Sequence, residues 1–232
     1  MSEPLVGVYT IGQTPRPDLT EELEHRFQSV RFQVVGALDG MERDEIPAWP
    51  LRGYPLETHL SDGTRVVVAA TFVEPLLQQA VDELDARVCA HLVLCAGRFW
   101  SLAVPDPPLG SPTAPTPLIQ PFHVAAAELK RRGHHRLDIV VPFADQAPPA
   151  MDKWAAADFA CRAHVFAEKP RHRTISQWLS GLVSRTRAQA LVFDYVGFPA
   201  AMFEEVRAEI DIPVFDLGRL ALDALEETLS TL

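Results

Sequence analysis

Short apolar runs alternate along this chain with longer stretches in which apolar residues recur every three or four positions. LVGVYT (5–10) and FQVVGA (32–37) read as strands. Between them, Pro17 and the acidic PDLTEELEHRF predict a helix start. Proline sits in the first turn, carboxylates follow early, and Leu19, Leu23 and Phe27 fall on one face. PLETHLSDGTRVVVAA holds two strand-like runs around Ser61-Asp62-Gly63, the pattern of a hairpin. A helix over 72–87 leads to the strand HLVLC. After the proline-rich VPDPPLGSPTAPTP (104–117), which neither a helix nor a central strand tolerates, the alternation resumes. It predicts helices over 121–132, from about Gln146, over 174–187 and over 199–209. Strands fall at LDIVV, near AHVF, at ALVFD and at IPVFD (212–216), and GRLALDALEETL closes as a helix. Such alternation predicts an α/β fold with parallel sheets flanked by helices, ligands lying beyond the carboxyl ends of the strands. The proline-rich stretch reads as a link between two lobes: residues 1–118, closed by 212–232, and residues 119–211.

The second half echoes the first. His91-Leu-Val-Leu-Cys95-Ala-Gly97 and Leu191-Val-Phe-Asp194-Tyr195-Val-Gly197 both run from apolar strand to polar residue, spacer and glycine. That echo puts Cys95 and Tyr195 at equivalent strand ends in two lobes. Cys95 then has two readings: a reactive thiol at a strand mouth, or a small buried hydrophobe.

Composition narrows the function classes. A chain of 232 residues, 47% hydrophobic, can bury a full core, and its net charge of −10 argues against nucleic-acid or anionic-membrane surfaces. No apolar run approaches the ~20 residues that span a bilayer, and MSEPLVGVYTIG lacks the basic start of a signal peptide. Three irregularly spaced cysteines suit a reducing cytoplasm, and no CxxC or HExxH occurs to hold a metal. The expectation is a cytoplasmic protein without metal or organic cofactor.

Several segments together resemble the AroM family of the aspartate/glutamate racemase superfamily. They are YTIGQTPRPD (9–18), GALDGM (36–41), SDGTRV (61–66), LCAGRF (94–99), VPFADQ (141–146), the Lys153-Trp154 pair and DYVGF (194–198). The resemblance implies two pseudo-symmetric α/β lobes with the active site in the cleft between them. It also implies no cofactor, a homodimer, and chemistry on a small carboxylate or amide-bearing molecule. Two cysteines in such racemases exchange protons with opposite faces of an α-carbon. Cys95 matches the first; Tyr195 stands where the second is expected, and Ala96 where a small polar residue is common.

On this reading Cys95 is the principal acid/base or nucleophile. Tyr195 acts on the opposite face, hydrogen-bonds a ligand oxygen or fills the volume of the missing thiol. Asp194 fixes a turn or orients a catalytic neighbour. Thr10, Gly12, Gln13 and Arg16 lie just past the first strand and are candidates to hold a carboxylate or amide, with Ala96, Gly97, Arg98, Gln146, Val196 and Gly197. The glycines allow close backbone approach, and backbone N–H groups at such turns offset substrate charge. The expected function is racemisation, epimerisation or isomerisation by proton transfer at carbon. A single-cysteine decarboxylase of a malonate-like acid, and a non-catalytic small-carboxylate-binding protein, are the alternatives.

Overall fold

The computed structural model describes residues 3–48, 54–105 and 114–231, so Trp49 and positions 106–113 of the proline-rich stretch lie outside the described residues. The chain divides into one unit formed by 1–120 with 221–232, and a second formed by 121–220.

In the first unit, β1 (Leu5–Thr10) is followed by α1 (Pro17–Arg26), β2 (Arg31–Gly36), the strands β3 (Pro55–His59) and β4 (Arg65–Ala69), α2 (Ala70–Leu84), β5 (Ala90–Val93) and β6 (Leu118–Ile119). Its sheet runs β2-β1-β5-β6 with every pair parallel. β1 and β5 are inner strands, which explains why both read as nearly unbroken apolar runs rather than alternating ones. One face of the sheet carries Tyr9, Val93 and Cys95. The buried side of α2 (Val73, Leu77, Val81 and Leu84) and Leu56, Val66 and Val68 of the β3–β4 hairpin complete that core. The hairpin turns at Ser61-Asp62-Gly63, with Gly63 at φ +83° and the Thr64 N–H donating to Asp62 Oδ1 at 2.7 Å. Inside the same core Tyr9 Oη lies 2.7 Å from His91 Nδ1, and His91 Nε2 lies 3.1 Å from Asp85. Burial raises the Tyr9 phenol pKa and lowers that of His91.

The second unit contains α3 (Pro121–Arg131), β7 (Arg136–Val141), α4 (Ala147–Ala155), β8 (Ala160–Val165), α5 (Ile175–Val183), β9 (Ala190–Phe193), α6 (Ala200–Glu209) and β10 (Val214–Asp216), and α7 (Leu217–Ser230) begins there. Its sheet, β10-β9-β7-β8, is again wholly parallel. α5 and α6 bury Trp178, Leu179, Phe203 and Val206 with Leu191 and Phe193 of β9. α5 opens on a capping box between Thr174 and Gln177. It stops at Val183, four residues before the expected end. There the Thr186 hydroxyl is drawn to Asp138 Oδ2, at 2.6 Å, and the last turn tightens to three-residue hydrogen bonds.

The chain returns to the first unit at Ala221 rather than at 212, because Val214–Asp216 pair with β9. The expected α/β fold with helix-flanked parallel sheets is thus present, in two units of the same design. Among the described residues no helix is long and apolar enough to cross a membrane.

Candidate active site

The candidate residues named above fall at the carboxyl ends of parallel strands or in the loops that follow them, where ligands gather in such sheets. In the first unit they lie on two neighbouring strands, β1 and β5, joined in register from Val6–Ala90 to Tyr9–Val93.

The turn after β5 holds the sulfur. β5 ends at Val93, the Leu94 N–H still bonds Tyr9 O at 2.8 Å, and Cys95 then leaves the ladder. Its residue is 8% exposed. The Gly97 N–H points back at Sγ from 3.3 Å, a contact that favours the thiolate over the thiol. Position 97 is tight: a Cβ there would lie 3.0 Å from Leu56 Cδ2, 3.2 Å from Phe99 Cζ and 3.3 Å from Sγ itself, so these side chains would have to give. Glycine is therefore what lets the N–H approach the sulfur. Ala96 is half-buried. Arg98 stacks on Trp100 with Cζ 3.1 Å from the ring centroid, and burial lowers the guanidinium pKa.

The loop after β1 uses its polar atoms differently. Gln13 Nε2 donates to the carbonyls of Leu38 (3.0 Å) and Met41 (2.7 Å), and its Oε1 accepts from the Ser61 N–H (2.8 Å). Its amide thus pins the loop after β2 to the hairpin turn. Arg16 spends its fork on Asp18, through Nε at 2.8 Å and Nη2 at 2.7 Å. Its Nη1 reaches Thr58 Oγ1 at 3.1 Å and Thr10 Oγ1 at 3.5 Å. That hydrogen bond holds the Asp18 carboxyl below the usual range. Gly12 is required by the hairpin, since a Cβ would meet Thr58 Oγ1 at 2.3 Å and His59 O at 2.4 Å. Asp39, not singled out by the sequence, accepts from the N–H groups of Thr14 and Gly36 and from the Thr14 hydroxyl. Beside these loops a cavity of about 320 Å³ is lined by Gln13, Thr14, Asp39, Arg43, Ser61 and Asp62 among others; Cys95 is not on its wall.

In the second unit the turn after β9 is anchored by charge. Asp194 is buried and accepts from Lys153 Nζ at 2.5 Å and Trp154 Nε1 at 3.0 Å, both on α4. Its backbone N–H bonds Val140 O of β7 at 2.9 Å. Both carboxylate oxygens are therefore engaged in fixing the turn that presents Tyr195. Trp154 in turn packs on Phe122 and Phe159 at 4.8 and 5.3 Å. Tyr195 is half-buried, edge-on to Phe198 at 5.5 Å; Val196 packs toward Gly218 at the start of α7, and exposed Gly197 takes φ +111°. Gln146 lies in the turn after β7, and its Oε1 is buried with no hydrogen-bond partner.

Two further thiols lack this setting. Burial raises the Cys89 pKa, and burial with the nearby Asp194 charge pushes Cys161 up to about 11. Among the described residues no three His, Cys, Asp or Glu side chains converge to hold a metal ion.

Residues 6–229 match the family model AroM protein. The chain belongs to the AroM family. No curated protein sequence matches it. Its fold is shared with several solved structures. A maleate cis-trans isomerase of Nocardia farcinica, solved with a covalently bound succinylcysteine intermediate, is 15% identical with a TM-score of 0.55 over 98% of this chain and 93% of that one. The glutamate racemase of Francisella tularensis subsp. tularensis SCHU S4, in complex with D-glutamate, is 10% identical with a TM-score of 0.54 over 100% and 82%. An arylmalonate decarboxylase is 12% identical with a TM-score of 0.58 over 97% and 92%. At these identities the likeness is one of fold, and the chain covers 82% to 93% of these structures.

Proposed function

We propose that this AroM-family protein is a cofactor-independent enzyme of the racemase–isomerase type, acting on a small carboxylate or amide-bearing substrate with Cys95 as its base or nucleophile. The observation that carries the reading is the Gly97 N–H directed at Cys95 Sγ, at the carboxyl end of an inner parallel strand. A thiolate favoured there takes the α-proton; the electron pair moves into the adjacent carboxyl group as an enediolate, whose charge the turn's backbone N–H groups offset. Return of a proton to the opposite face of that carbon inverts it. Tyr195 is assigned that return, Asp194 with Lys153 and Trp154 fixes the turn from which it acts, and Gln146, Val196 and Gly197 shape the same region. Thr10, Gly12, Gln13 and Arg16 serve by holding the loop after β1, while Ala96 and Arg98 flank the thiol. The succinylcysteine of the maleate isomerase supports thiol chemistry on this fold.

A second reading is favoured by the single well-placed thiol. A decarboxylase needs one proton donor only: carbon dioxide leaves, the pair remains on carbon, and the protonated Cys95 quenches it. One experiment separates the two. Incubation in heavy water with a panel of small amino, hydroxy and dicarboxylic acids, followed by NMR, is expected to show deuterium entering an α-position without loss of a carboxyl group. Cys95→Ser is expected to slow that exchange at least a hundredfold. Loss of carbon dioxide would select the decarboxylase, and exchange undiminished in the variant would refute both. Compartment and homodimer formation remain part of the same proposal, the latter testable by sedimentation.

A further inference from the structure

Gln120 follows β6 immediately, at the carboxyl end of the first unit's sheet. The register pairs His91 with Leu118 and Leu92 with Ile119, and continued one step past the end of β6 it would bring Gln120 level with Val93. Neighbours in parallel register share a face. Leu118, two positions before Gln120, packs on the core that contains Val93 and Cys95. Gln120 therefore stands on the face of the sheet that carries the sulfur, one strand over and two positions short of it. The residue is only 6% exposed, and its Oε1 is buried with no hydrogen-bond partner. A glutamine carbonyl has two lone pairs, and the great majority of buried side-chain acceptors are satisfied. At the end of β1 and on the loops after β1 and β2, Thr10, Gln13, Arg16 and Asp39 have partners. An apolar residue of the same length would fill the position without leaving a polar atom unsatisfied.

We propose that Gln120 is a specificity-determining residue of the Cys95 site, and that its carbonyl accepts a hydrogen bond from an amine, amide or hydroxyl group that the substrate carries beside its carboxylate. The assignment rests on the reading of Cys95 given above and deepens it: the substrate is an amino, amido or hydroxy acid, not a plain dicarboxylate. A site built around a buried acceptor rejects an analogue that lacks the donor, because binding then leaves the acceptor dry and unpaired.

Isothermal titration of the full chain with DL-aspartate, DL-malate and methylsuccinate, which differ only in the amino, hydroxyl or methyl group on one carbon, tests this. The wild type is expected to bind aspartate or malate at least tenfold tighter than methylsuccinate. Gln120→Met, which keeps the length and removes the carbonyl, is expected to bring the three within about twofold while leaving methylsuccinate affinity within about threefold. Gln120→Glu retains an acceptor and is expected to keep the preference for aspartate over methylsuccinate, which holds the test open should the methionine variant fold poorly. Wild-type affinity for methylsuccinate equal to that for aspartate and malate would overturn the assignment, the amide then meeting the carboxylate through Nε2. So would a preference that survives in Gln120→Met, the mark of a carbonyl satisfied by buried water. Binding of none of the three by the wild type would refute the reading of Cys95 as a carboxylate site, and the assignment with it.

Discussion

The turns after β5 and β9 start from the same pattern and are held in opposite ways. Both follow four-residue strands buried along their whole length, and both end in glycine. In the first, apolar packing does the holding: Leu94 is buried, Leu56 and Phe99 crowd Gly97, and the turn directs one N–H at Cys95 Sγ. In the second, the position matching Leu94 is Asp194, whose carboxylate is fastened to Lys153 and Trp154. The apolar turn carries Cys95 just past the strand end. The ion-paired turn presents the half-buried Tyr195. The two matching strand ends thus differ in how their turns are held.

Breaking the ion pair should have the largest effect. Lys153→Met leaves the Asp194 carboxylate buried without its cation, and removal of one partner of such a pair costs about 3–5 kcal/mol. Urea unfolding is expected to show that loss. Lys153→Met combined with Asp194→Leu is expected to recover most of it, because the uncompensated charge is then gone. Failure of the double variant to recover would mean that the hydrogen bond to Trp154, not the charge pair, holds the turn.

The two glycines sharpen the contrast. Gly97→Ala and Gly197→Ala are each expected to destabilise by ~1–3 kcal/mol, for different reasons. At 97 the cause is crowding against Leu56, so Leu56→Ala in the same chain should relieve part of it. At 197 the cause is φ +111°, and no second substitution in a neighbouring side chain should help. Differential scanning calorimetry of the single and double variants separates the two causes.

A smaller effect belongs to the loop after β1, which the first unit anchors by charge instead. The Asp18 pKa is held down by the Arg16 hydrogen bond. A carboxyl lowered by folding stabilises the protein above its unfolded value, near 4, and that contribution is lost as pH falls through the folded value. Asp18 is half exposed, so screening keeps the contribution to about 0.5–1 kcal/mol. Asp18→Asn should flatten the stability profile below about pH 4 by that amount and leave it unchanged at pH 7 apart from a constant offset.

Much of this was legible in the chain because its inner strands are buried on both faces. Runs such as LVGVYT and ALVF then stand out from the helical period, and the elements they punctuate follow in order. β6 did not stand out: two residues between Pro117 and Pro121 form no pattern, and only the register with β5 reveals them. The early end of α5 depends on Asp138, 48 positions from Thr186, which no local signal records. At the site, Cys95 was visible from its place at a strand end. The partners of Gln13 were not, since its amide bonds backbone carbonyls 25 and 28 positions away. Lys153 stood in a recognised segment, yet a lysine in a helix reads as a solvated face until its carboxylate, 41 positions on, is brought to it. Gln120 carried no sequence signal at all beyond its place before a helix.

The rate at which each cysteine reacts with iodoacetamide, followed by mass spectrometry across pH and with or without malate or aspartate, tests the central claim most directly. Cys95 is expected to label at pH 8 at least a hundredfold faster than Cys161, whose thiol is pushed up to about 11, and to be protected by the small acid. Labelling of Cys95 as slow as that of Cys161, and indifferent to either ligand, would contradict the account.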